Sequence, residues 1–136
     1  MGFLGTRAGF PADVNLIIQI IILAILITGI GFAKKKNFLV HCRIQTIAVI
    51  LQTILIFTVM LPSLILNFGV VLAELYSTGV SITISHSIFG GLAWILGIIL
   101  VFKRFGKVRT WMRVEASLWF ISIFLGFSFY INYYLI

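Results

Sequence analysis

Four stretches of about twenty apolar residues, enough for one membrane crossing each, leave this chain few ways to fold. They cover residues 14–32, 44–66, 82–102 and 114–136, and Glu115 is the one formally charged side chain within them. A chain of 136 residues that is 62% hydrophobic and 10% charged cannot hide its apolar surface in a soluble core. Ordinary globular sequences are roughly half apolar and about a quarter charged. The surplus requires an apolar solvent, so the chain reads as a one-domain integral membrane protein with the lipid bilayer as its first partner. Backbone groups in lipid must bond within their own segment, which makes each stretch an α-helix. No period-two alternation suggests barrel strands.

The charges order these helices. Lys34, Lys35, Lys36 and Arg43 form one cluster, and Lys103, Arg104, Lys107, Arg109 and Arg113 form another. They fall in the first and third gaps, 33–43 and 103–113. The second gap holds only Glu74, and the segment before the first stretch holds Arg7 and Asp13. Four crossings bring the two basic gaps to one side. Basic loops stay in the cytoplasm, so both termini are expected outside. The short gaps favour an up-down bundle of antiparallel neighbours. Pro62 should kink or end the second helix. Tyr76, Trp111, Tyr130, Tyr133 and Tyr134 suit interfacial belts. The first stretch exceeds the apolar core of a signal peptide and is read as retained.

Several functions are disfavoured at once. The net charge of +7 borders apolar spans and does not lie on an aromatic-studded face, so no nucleic-acid partner is expected. Cys42 is the single cysteine, which excludes an internal disulfide and a multi-cysteine metal site. No serine–histidine–aspartate set, phosphate-cradling loop or paired-histidine zinc motif occurs, so the chain is not expected to be an enzyme.

Polar residues within lipid are costly unless partnered, so their helical positions are informative. His41, Gln45, Ala48 and Gln52 form a stripe on the second helix that should face the bundle interior. On the third helix His86, Gly90, Ala93 and Gly97 share a face, with Ser85 and Ser87 beside it. Small residues there predict a close packing seam, and the serines can bond across it. Glu115, Ser122 and Gly126 share a face of the fourth helix, with Asn132 farther out, and Asn15 and Gln19 lie one turn apart on the first.

His41 is expected at the cytoplasmic end and His86 near the outer face, separated by most of the membrane thickness. They therefore cannot be two axial ligands of one haem, although either could contact a haem or metal with ligands from another subunit. The alternatives are an interfacial role for His41 and an interhelical hydrogen bond for His86. Glu115, in the first turn of its stretch, complements the helix dipole or pairs with Arg113, Arg43 or His41.

Phe3-Leu4-Gly5-Thr6-Arg7-Ala8 followed by Asp13, the segment His41-Cys42-Arg43-Ile44-Gln45, His86 and Trp94 in the third helix, and the close Gly126-Phe127-Ser128-Phe129-Tyr130 together resemble a family. It is the family of small four-helix prokaryotic membrane proteins that includes YozB and CtaM. The resemblance implies a prokaryotic plasma-membrane protein associated with maturation of haem–copper terminal oxidases, with His41 and His86 as candidate cofactor contacts. Relatives often carry a further histidine before the last helix, and residues 107–113 hold none. That departure leaves room for a structural subunit.

The expected function is a non-catalytic accessory subunit or assembly factor of a membrane-bound, metal-containing oxidoreductase. It would pack against other membrane subunits through Gly90, Ala93 and Gly97. Alternatives are a small dimeric transporter, for which Asp13 and Glu115 lie at span ends and not at mid-depth, and a small b-type haemoprotein.

Overall fold

The computed structural model describes residues 2–102 and 106–135. Lys103 and Arg104 of the second basic cluster, and Ile136 at the end of the fourth stretch, lie outside the described residues. Four helices, Phe10–Lys34, Phe38–Leu66, Thr78–Phe102 and Val108–Tyr134, are long and apolar enough to cross a membrane. Among the described residues there is no strand. The protein is an all-α, four-helix polytopic membrane protein.

Each helix outruns its apolar stretch, because backbone bonding continues where the lipid ends. The first begins at the Gly9 cap, with a proline in its opening turn and Asp13 close behind, an arrangement that suits a helix start. Between the first and second helices the chain reverses through Lys36, whose φ of 60° is left-handed. Asn37 then opens the second helix, its Oδ1 accepting from Val40 N at 3.4 Å.

The fourth helix starts at Val108, earlier than residue 114, since the segment 108–113 with its charged Arg109 and Arg113 remains helical. Glu115 therefore sits about two turns inside, beyond the reach of the helix-terminal dipole, and the dipole role expected for it lapses.

The second helix does not end at Pro62 but runs on to Leu66. A π-helical turn at Ile56–Met60 precedes the proline, with Leu61 N bonding to Ile56 O. Proline lacks an N–H and crowds the carbonyl four residues back, and a widened turn absorbs that conflict. Beyond it a short helix, Phe68–Ala73, occupies the gap before Thr78.

Packing is most extensive within the two hairpins, third on fourth helix and first on second. Contacts of the second with the third and of the first with the fourth close the ring. Ile22, Leu26, Ala48, Val49, Leu55, Ala93, Trp119 and Ile123 fill the centre. Phe57, Leu92, Phe124 and many other large apolar side chains point outward, as a lipid-solvated bundle requires. The end where the first helix finishes and the fourth begins is termed the basic end, and the opposite one the terminal end.

Candidate functional site

The third and fourth helices meet in a regular small-against-large zipper. A Cβ at Gly79 would lie 2.7 Å from the Tyr133 hydroxyl, and one at Gly90 would lie 2.8 Å from Ser122 Oγ. At Gly97 it would lie 3.3 Å from Glu115 Oε1 and 3.1 Å from Val49 Cγ2. At Gly126 the roles reverse, with His86 Cε1 at 3.1 Å. Steps along the third helix are matched by equal steps back along the fourth, as an antiparallel heptad-like register demands. The seam of Gly90, Ala93 and Gly97 is thus consumed inside this chain. Ala93 is fully buried, and the seam is not a face for another subunit, contrary to expectation.

Each histidine is pinned to a neighbouring helix. His41 Nδ1 lies 2.8 Å from Gly29 O, and His86 Nδ1 lies 2.8 Å from Ser122 O. A carbonyl only accepts, so in both rings Nδ1 carries a hydrogen and is the donor, which leaves Nε2 as the nitrogen a metal would take.

The two histidines lie far apart along the bundle. Gly97 meets Val49 and Trp94 bonds to Thr53, a register that sets His86 opposite Met60 of the second helix. From His41 to that level is roughly nineteen residues of helix, about 28 Å and most of a membrane core. Two axial ligands of one iron cannot come from this pair.

The stripe on the second helix faces inward. His41, Ala48 and Gln52 are buried. Gln52 Oε1 accepts from Gln19 Nε2 at 2.9 Å, and Gln52 Nε2 donates to Met60 Sδ at 3.7 Å. Gln45 packs against Gly29, while its sealed Oε1 and Asn15 Oδ1 have no hydrogen-bond partner among the described residues. Asn132 is exposed in the last turn of the fourth helix. Ser87 bonds back to Thr83 O and not across the seam.

Glu115 is 7% exposed and lies against Gly97. Arg43 and Arg113 point outward, and His41 is committed to Gly29. The expected ion pair is not formed among the described residues.

One polar cluster had no counterpart in the sequence reading. Asp13 has no exposed surface. Its Oδ1 accepts from the Tyr130 hydroxyl at 2.6 Å and its Oδ2 from Leu4 N at 3.0 Å. The Tyr130 oxygen also lies 2.9 Å from Thr6 Oγ1, which accepts from Ala8 N at 3.2 Å. Residues 2–9 are thereby folded over the terminal end, turning at Gly5, whose φ is 72°. Tyr130 is buried and is not part of an interfacial belt, unlike Tyr76 and Trp111, which are exposed. The available signal was a carboxylate at the start of one helix and a tyrosine near the end of another on the same side of the membrane. A second missed link is Trp94 Nε1 donating to Thr53 Oγ1 at 2.8 Å.

The haem implied by the resemblance does not fit inside the bundle. Beside Gly90 and Ser122 the bundle holds a cavity of about 10 Å³, whereas pockets for organic ligands run from roughly 300 Å³ upward. Among the described residues no group of three His, Cys, Asp or Glu side chains could hold a metal ion. Neither protein-family models, nor curated proteins, nor solved structures gave a match to this chain.

Proposed function

We propose that this chain is a non-catalytic accessory subunit or assembly factor of a membrane-bound, metal-containing oxidoreductase, of the kind the haem–copper terminal oxidases represent. In this reading the membrane is a prokaryotic plasma membrane, the basic end faces the cytoplasm and both termini lie outside. The observation that carries it is convergence. Residues that bear the family resemblance lie far apart in sequence yet meet in space: Thr6 and Asp13 on Tyr130, and His86 against Gly126. Chance similarity between apolar helices gives no reason for such pairing. With the glycine seam closed internally, the surface offered to a larger subunit is the outward apolar sheath.

The test is purification from gently solubilised native membranes. Large membrane subunits with haem absorbance should accompany the chain, and its deletion should lower the oxidase activity of those membranes. Recovery of the chain alone, with unchanged oxidase activity, overturns the proposal. One observation favours a dimeric transporter instead: Glu115 is a carboxylate two turns inside its helix with no ion pair among the described residues. Cation-coupled uptake into proteoliposomes that is abolished in Glu115→Gln would move the assignment there.

A further inference from the structure

All four helices bring a polar group or a glycine to one point at the centre of the bundle. The cavity of about 10 Å³ is lined by Gln19 of the first helix, Gln52 of the second, Gly90 of the third and Ser122 of the fourth, with Trp119 and Ile123 completing the wall. Gln52 and Ser122 are more than nine-tenths buried. The space is about that of one water centre, and polar-lined cavities of this size take up water where apolar ones stay dry.

Hydrogen-bond accounting at this point leaves a complementary remainder. Gln19 spends its amide N–H on Gln52 Oε1, and its own Oε1 accepts nothing among the described residues. Ser87, Ser117 and Ser128 donate back to carbonyls of their own helices, but Ser122 does not. Its Oγ lies 3.4 Å from His86 Nδ1, whose hydrogen is already given to Ser122 O, so that nitrogen has no lone pair for the hydroxyl. A second N–H of Gln52 has only the soft Met60 sulfur beside it. Buried donors and acceptors are rarely left unpaired.

We infer that this cavity is a binding site for a single ordered water that accepts from the Ser122 hydroxyl and donates to Gln19 Oε1. Gly90 creates the room. The water joins the first hairpin to the second where direct packing between them is sparse, and it steadies the serine that orients His86. A bridge of this kind needs two to four polar partners, and Gln19, Gln52 and Ser122 provide three.

Solid-state NMR of the full chain in lipid bilayers tests this, with magnetisation transferred from water protons as the probe. The side-chain amides of Gln19 and Gln52 should receive it several times faster than the backbone amides of Ile22 and Leu26, which lie farther along the same helix. Ser122→Ala and Gly90→Ala should each abolish that difference while helical content is unchanged. Equal transfer to all four sites in the wild-type chain overturns the inference without any variant. A fast transfer that survives both substitutions also overturns it, because the water would then lie elsewhere.

Discussion

The bundle buries one carboxylate near each end and treats the two in opposite ways. Asp13, at the terminal end, is sealed by the folded-over segment and receives hydrogen bonds from a tyrosine hydroxyl and a backbone amide. Glu115, toward the basic end, lies against a glycine with no ion pair among the described residues. A buried polar group is tolerated when its bonds are met and costly when they are not. Asp13 therefore acts as a joint of the fold. Glu115 has no such bonds among the described residues, so its burial is not offset in the same way.

This contrast can be broken experimentally. The largest loss should come from Asp13→Ala, which strands the Tyr130 hydroxyl and Leu4 N–H together. Its fall in thermal unfolding midpoint in detergent should be roughly twice that of Tyr130→Phe. Tyr130→Phe removes one hydroxyl and should cost about 1.5 kcal/mol; a neutral result would mean that the segment 2–9 is not held by this contact. Lys36→Gly relieves a left-handed backbone at the basic end and should raise stability by roughly 1 kcal/mol, read by the same melting experiment. Glu115→Gln should have the smallest effect, between zero and a slight gain. A clear loss of stability would reveal a partner for Glu115 and erase the difference between the two ends.

Much of the architecture was legible because membranes impose simple rules. Apolar length gave the four helices, and the inward stripe of His41, Ala48 and Gln52 followed from helical period alone. Helix ends were less legible, because hydropathy marks the lipid boundary while hydrogen bonding runs past it, as at Val108. The seam of Gly90, Ala93 and Gly97 was recognisable as close packing, yet its partner was not. Small residues state how near a neighbour comes and not which neighbour it is. The Asp13–Tyr130 contact spans 117 positions and leaves no local periodicity, so only the assembled ring reveals it.

That long-range contact also constrains how the protein is made. Thr6 and Asp13 leave the ribosome first among the groups of the terminal cluster, and Tyr130 arrives only with the fourth helix. Until then the carboxylate of Asp13 lacks its tyrosine donor, and the leading segment has nothing to close upon. Sealing of the terminal end is therefore a late event in biogenesis, coupled to completion of insertion. Any machinery that binds the open leading segment would distinguish a half-inserted chain from a finished one.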